Sequence, residues 1–209
     1  MDLNSTIQQL ILSAPPLLFA LTFHELAHGY VAWKLGDPTA KEQGRLTMNP
    51  LKHLDPFGVL AFIIMRIGWA KPVPVNPRYF RNPQQGMLLT ALAGPVANII
   101  LAIVSAVLVK ILGAIPISSH LIYNVIKPMY DMMLVSVWIN VMLAVFNFLP
   151  IPPLDGSKVL MGILPPEQAM GFARLEPYGF LIILVLFYMG LISKMIMPIV
   201  HLTVGMMVG

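Results

Sequence analysis

Phe23-His24-Glu25-Leu26-Ala27-His28-Gly29 reads H-E-x-x-H, and it closes a segment with no charged residue from Leu3 to Phe23. On a helix, positions four apart share a face, so His24 and His28 project together, one turn apart. Two neutral imidazoles at that spacing can hold a zinc ion, and Glu25 between them can take a proton from water at the metal. The structural alternative is that both histidines hydrogen-bond neighbouring helices. Ionisable groups inside a transmembrane helix are costly and mark functional sites, and three of them stand here within five residues. The stretch predicts a metal site inside a membrane, and that decides the fold class.

Composition agrees. Of the 209 residues, 57% are hydrophobic and only 11% charged, and the mean hydropathy is +0.79. That describes an integral membrane protein rather than a soluble domain with one anchor. No polar stretch is long enough to fold separately, so residues 1–209 read as a single membrane-embedded unit. Cysteine is absent, which excludes disulfides and thiolate metal sites. The formal net charge of +4 reads as a topology signal in the bilayer and not as a nucleic-acid footprint. The N-terminus carries Asp2 and no Lys or Arg before Lys34. It lacks the basic region of a cleavable signal peptide, and the first apolar segment is expected to be retained.

The expected fold is an all-α polytopic membrane protein of about four transmembrane helices, with a re-entrant, β-hairpin-like segment after the first. The spans fall at about 7–35, 86–113, 131–149 with a broken continuation to 164, and 178–207. Pro15 and Pro16 are expected to bend or interrupt the first span, and Gly36-Asp37-Pro38 to stop it. Residues 57–65 are apolar but too short to cross. Their β-branched and aromatic content suggests short strands, and turn signals such as Asp55-Pro56 and Asn76-Pro77 flank them. In the second span Gly94-Pro95-Val96-Ala97-Asn98 combines small residues with one amide, which suits either close helix packing or a place at the active site. Asn140 and Asn147 lie seven apart, on one face of the third span. Pro150-Ile151-Pro152-Pro153-Leu154-Asp155-Gly156 then breaks the helix, and broken backbone at membrane depth is tolerated where it is buried or lines a cavity. Gly190 and Pro198 are possible kinks in the last segment, which is readable as one helix or two.

Topology tests the site. Between Lys34 and Arg81 there are eight Lys or Arg and three acidic residues, so the positive-inside rule puts this connection in the cytoplasm. The N-terminus is then outside, and the first and third spans both run inward. His28 and Asp155 thus reach the same depth, near the cytoplasmic side. A catalytic zinc keeps three protein ligands and one open position. Asp37 and Glu42 sit in a charged connector, Asp55 is a fair helix cap, and Glu167 and Glu176 look solvated. Asp155 is the best third ligand, the alternative being that it only caps the short helix after it. His53 reads as structural or as a support to the ligands.

These motifs resemble the site-2 protease family of intramembrane zinc metalloproteases, in the compact form without PDZ or CBS domains. His24, Glu25 and His28 match the family's H-E-x-x-H. Asn147 to Gly156 matches N-x-x-P-x-x-x-L-D-G, and Gly94 to Asn98 and Gly44 to Pro77 resemble further family segments. The resemblance covers nearly the whole chain. It implies one Zn2+ per chain on His24, His28 and Asp155, with Glu25 as the base that activates water. It implies Asn147 as a donor to the developing oxyanion, and substrates that are transmembrane proteins in the lipid bilayer of the cell membrane. A membrane-embedded β-hairpin is also implied. Backbone pairing along Val59, Leu60, Ala61, Phe62, Ile63 and Ile64 is then expected to hold an unwound substrate, with Asn98 and Asn140 as further contacts. A regulatory membrane protein is an open partner that the sequence does not name. Two other readings compete. One is an ion or metal transporter built on the same residues, since broken helices suit transporters. The other is a catalytically silent scaffold that binds membrane segments.

Overall fold

The computed structural model describes residues 3–65, 68–116 and 119–209. α1 (Leu3–Lys34) is one helix of 32 residues and continues through Pro15 and Pro16. The expected interruption is absent because interior prolines are tolerated in helices whose surroundings are lipid and neighbouring helices. A turn holding Gly36 leads to the short α2 (Thr39–Glu42) and a single 3-10 turn at Pro50–Lys52.

Residues 56–65 form α3 (Pro56–Met65), which corrects the expected strands of a β-hairpin. The cause is local. Asp55 Oδ1 accepts from the backbone N–H of Phe57 at 2.8 Å and of Gly58 at 2.9 Å, and Pro56 occupies the first helical position. An acidic cap followed by proline is a strong helix start, and it outweighs the β-branched composition behind it. At ten residues, α3 is about 15 Å long, too short to cross a bilayer. Among the described residues there is no strand, only an isolated antiparallel bridge between Leu54 and Ala70. Non-helical backbone follows at 69–76, bridged at Ala70 and extended at Asn76.

α4 (Pro83–Gly113) begins on Asn82, whose Oδ1 accepts from Gln85 N at 3.2 Å, and continues through Pro95. α5 (His120–Asn147) starts eleven residues before the expected boundary and passes through Pro128, capped by Ser119 Oγ on Ile122 N at 3.3 Å. α6 (Asp155–Ile163) and α7 (Pro166–Ala173) follow the proline-rich break. The last segment is two helices, α8 (Gly179–Tyr188) and α9 (Leu191–Val208), because Gly190 takes a left-handed φ of 68° between them. Among the described residues, five helical runs are long and apolar enough to span a membrane: Ile7–Lys34, Pro83–Gly113, Ile122–Asn147, Pro166–Tyr188 and Leu191–Val208. The chain is an integral, multi-pass membrane protein, with one candidate span more than the sequence suggested.

The core is a seam of small and β-branched residues. Ala102, Ala106 and Val109 of α4 meet Val137 and Val141 of α5 and Ile192, Ile196, Val200 and Val204 of α9. Short side chains let these backbones approach closely, which is how helices associate where lipid is as apolar as leucine. Long apolar residues such as Ile100, Ile103, Val107 and Phe187 are left exposed on the outer faces, as a bilayer solvent allows. α1 packs against α4 and α5, and this places His24 and His28 against Gly94 of α4.

Candidate metal centre

His24 and His28 stand one turn apart on α1, buried at 6% and 8% exposure. Their rings cross almost perpendicularly, at 83°, with the two Nε2 atoms 3.0 Å apart. Asp155 comes from the first turn of α6 and sets Oδ2 3.1 Å from His24 Nε2 and 3.2 Å from His28 Nε2. The chain reaches this point through the break after α5. A Cβ on Gly156 would lie 2.3 Å from the carbonyl oxygen of Phe148 and 2.5 Å from that of Leu149. Only glycine lets the backbone beside Asp155 fold onto the end of α5, which explains the residue after the aspartate. Ser157 Oγ donates to the Leu154 carbonyl at 2.7 Å and closes the turn.

The chemistry of the donor set fits a cation. His28 Nδ1 lies 2.7 Å from the carbonyl oxygen of Thr90, which can only accept, so that ring carries its proton on Nδ1. His24 Nδ1 faces Asn98 Oδ1 at 2.6 Å. With both rings neutral, the two Nε2 lone pairs converge with a carboxylate oxygen, three acceptors with no proton between them. Such a cluster is unfavourable by itself and favourable around a positive ion. Ligand atoms around a tetrahedral zinc at about 2.0–2.2 Å would sit roughly 3.3–3.6 Å from one another, close to the spacings here. Gly94 of α4 leaves the space open, since a Cβ there would come within 2.4 Å of His28 Nε2 and 2.5 Å of His24 Nε2. Among the described residues, His24, His28 and Asp155 are the one group of metal-ligating side chains gathered this closely.

A cavity of about 470 Å³ opens beside the three ligand atoms, lined among others by Glu25, Trp69, Val73, Phe146, Asn147 and Lys158. Glu25 Oε2 accepts from the backbone N–H of Val73 at 2.9 Å. Asn147 reaches the cavity wall while its Nδ2 donates to the Leu143 carbonyl at 3.0 Å. Asn98 and Asn140 are brought to the site but not to the cavity. They are 0% and 1% exposed, and their amides pair with each other behind His24. Val59 to Ile64 lie in α3; Val59, Leu60 and Ala61 do not line the cavity, and the side chains of Phe62, Ile63 and Ile64 fall outside the described set. A helix spends its N–H groups internally, so backbone pairing with a substrate cannot run along these six residues. His53 is buried at 1% and points its Nε2 at the Thr47 carbonyl, 2.9 Å away, so it is structural.

The non-helical strap at 69–76 lines the site, although the residues expected to pair with substrate were placed before it, at 59–64. Trp69, Ala70, Pro72, Val73 and Val75 all line the cavity, and Trp69 meets Phe180 of α8 edge to face at 5.9 Å. Four backbone anchors hold the strap across α1. Lys71 N donates to the His53 carbonyl at 2.8 Å, and Arg45 Nη2 donates to the Lys71 carbonyl at 2.8 Å. Val73 N is held by Glu25, and Asn76 N donates to Asp37 Oδ2 at 2.6 Å. The alternation Pro72, Pro74, Pro77 was the available signal, because prolines at that spacing exclude a helix and favour extended backbone.

Comparison with known proteins gives one family. Residues 113–190 match the model of a family described as Peptidase family M50. A Bacillus subtilis protein named "Putative zinc metalloprotease YwhC" is 42% identical over 187 residues, covering 88% of this chain and 84% of that protein. "Putative zinc metalloprotease Rip2" of Mycolicibacterium smegmatis is 29% identical over 189 residues, covering 88% of this chain and 69% of that protein. An archaeal relative from Methanocaldococcus jannaschii, also named a "Putative zinc metalloprotease", is 32% identical over 161 residues, or 75% of this chain and 73% of that protein. No solved structure matches.

Proposed function

The chain belongs to peptidase family M50, and on that premise we propose that it is a zinc metalloprotease that hydrolyses a peptide bond within the transmembrane segment of membrane-protein substrates. The observation that carries this reading is the convergence of His24, His28 and Asp155 beside a cavity that also holds Glu25, within a bundle of membrane-spanning helices. His24, His28 and Asp155 would hold the zinc, one ion per chain. A bound zinc supplies Lewis acidity and brings the pKa of water at its open position near 7.

The residues divide the remaining work. Glu25 lines the cavity one residue from His24 and is the base that takes the proton from the attacking water. Its Val73 contact keeps one carboxylate oxygen occupied and leaves the other for that proton. Asn147, on the opposite wall, swings its amide from the Leu143 carbonyl to the developing oxyanion. A helical substrate shields its own peptide bonds, so a stretch of it must unwind, and its freed N–H and C=O groups then need partners where water is scarce. The strap at 69–76 is non-helical backbone that lies along the cavity, and we assign substrate docking to it. The basic connection after α1 puts the site near the cytoplasmic side of the cell membrane, with the N-terminus outside.

The test is Glu25→Gln, which keeps the size of the side chain and all three ligand atoms. Zinc content is expected to stay at the wild-type level while cleavage of a tagged single-span membrane substrate falls at least about 10²-fold, the low end for loss of an acid–base group. Near-normal cleavage by this variant removes Glu25 from the mechanism. Comparing membrane proteomes of cells carrying the two chains then identifies the substrates.

A further inference from the structure

Behind His24, on the side away from the cavity, a line of buried polar groups crosses three helices. Ser105 of α4 and Ser136 of α5 have their Oγ atoms 2.8 Å apart. Asn140 Nδ2, one turn on from Ser136, is 2.9 Å from the Ser136 carbonyl oxygen and 3.2 Å from its Oγ. Asn140 Oδ1 is 2.9 Å from Asn98 Nδ2, which also reaches the Ala20 carbonyl at 3.3 Å. Asn98 Oδ1 then meets His24 Nδ1 at 2.6 Å. Every member is nearly sealed from solvent, from 0% for Asn98 to 8% for Ser136.

The direction of this line follows from its ends. A backbone carbonyl can only accept, so the Ser136 and Ala20 carbonyls each require an N–H. The Ser136 carbonyl therefore orients the Asn140 amide with its oxygen toward Asn98. That oxygen, together with the Ala20 carbonyl, requires both N–H groups of Asn98. What remains of Asn98 is an acceptor, and it faces His24 Nδ1. The proton of His24 must then sit on Nδ1, which leaves Nε2 as a bare lone pair toward Asp155 and His28. The second histidine reaches the same state by a separate route, through the Thr90 carbonyl.

We propose that Asn140, acting through Asn98, is a positioning residue that sets the tautomer of His24 and thereby its competence as a metal ligand. The inference rests on the assignment of His24 to the metal centre, and it goes beyond that assignment by giving a remote residue on α5 control over one ligand and not the other. Plain helix-to-helix adhesion is the rival role for such polar groups. Adhesion would act on both histidines alike, because both sit on α1.

The experiment uses the full chain in detergent micelles, metal-free, with 15N-labelled histidine, and reads the ring-nitrogen shifts together with zinc affinity by chelator competition. Neither readout needs proteolysis, so failure of the protease reading leaves the test intact. In the wild-type chain both His24 and His28 should be protonated on Nδ1. His24 protonated on Nε2 there overturns the proposal without any variant. Asn140→Leu leaves only the longer 3.3 Å contact to the Ala20 carbonyl to orient Asn98, and should leave His24 as a mixture of tautomers and weaken zinc about 10–100-fold, the range for losing a group that orients a ligand, with His28 unchanged. Asn140→Asp, as the neutral acid that its buried position favours, donates its O–H to the Ser136 carbonyl, still offers Asn98 an acceptor and should keep the single His24 tautomer. Ser136→Ala keeps the carbonyl that orients Asn140, so its zinc affinity should stay within about threefold of wild type. An unaltered His24 in Asn140→Leu, or equal changes at both histidines, refutes the assignment.

Discussion

Alanine in place of Gly94 adds one methyl group, and the structure says where it goes. Its Cβ would lie 2.4 Å from His28 Nε2, 2.5 Å from His24 Nε2 and 2.6 Å from His24 Cε1. Those distances are about 1 Å short of an ordinary contact of roughly 3.5 Å. Relief requires α4 to move off α1 or both imidazoles to turn, and either motion takes the ligand atoms away from Asp155. Forcing a methyl into a packed site costs about 1–3 kcal/mol. If that cost falls on the metal-bound form, zinc binding weakens roughly 5- to 140-fold, at 1.4 kcal/mol per factor of ten.

Helix propensity pushes the other way, which makes the test clean. Glycine to alanine inside a helix is worth about 0.8–1.0 kcal/mol in favour of alanine. Gly205 of α9 supplies the control, because a Cβ there meets nothing within 4 Å. Gly205→Ala should therefore bind zinc as wild type does, with a thermal midpoint unchanged or slightly raised. Gly94→Ala should lose zinc in chelator competition. A Gly94→Ala chain that binds zinc within threefold of wild type refutes the claim that this glycine keeps the ligand atoms apart from α4.

Asp155→Ala should lower zinc occupancy and activity together, since two protein ligands remain. Asp55→Ala should leave zinc in place and cost about 1 kcal/mol in stability, because Asp55 caps α3; loss of zinc from the Asp55 variant instead would reassign the third ligand. Val73→Pro removes the N–H that Glu25 accepts from and disturbs the strap at its midpoint. It should abolish cleavage with zinc retained, and full activity in this variant would move substrate docking elsewhere. For orientation, single cysteines at Gln43, Ser119 and Glu167 can be placed in a chain that has none. An impermeant thiol reagent outside the cell should label only position 119, and labelling at 43 would invert the topology.

The ligand set was readable because its signals are local. His24 and His28 share a face by spacing alone, and Asp155 follows a run of prolines at a depth that hydropathy could assign. The partners that prepare those ligands were not readable. His24 meets Asn98 across 74 positions of chain, and His28 meets the Thr90 carbonyl across 62. A carbonyl has no residue type, so no sequence pattern points to Thr90. Asn98 was visible as an amide in an apolar helix, but its direction depends on Asn140 and on the carbonyls of Ser136 and Ala20. Proline misled in the other direction. In water Pro128 would end a helix, and the third span was begun after it. In lipid the helix continues through it from His120.

The stretch after α1 shows how one local signal can move a site. Residues 57–65 have a strand-like composition, and a strand there would have offered an edge near the metal. Asp55 and Pro56 instead start a helix, which takes those backbone donors out of play. Non-helical backbone is left to residues 69–76, where Pro72 and Pro74 disfavour a helix. That segment passes beside α1 because Asp37, Arg45, His53 and Glu25 each hold a point on it. Among the described residues, the N–H of Val75 and the carbonyls of Pro72 and Pro74 have no hydrogen-bond partner. An unwound substrate needs such groups beside it, and in this chain the base that would start the reaction is bonded to the strap that presents them. Docking and base placement are therefore one structural unit, so a change in the strap should reach Glu25 without touching a metal ligand.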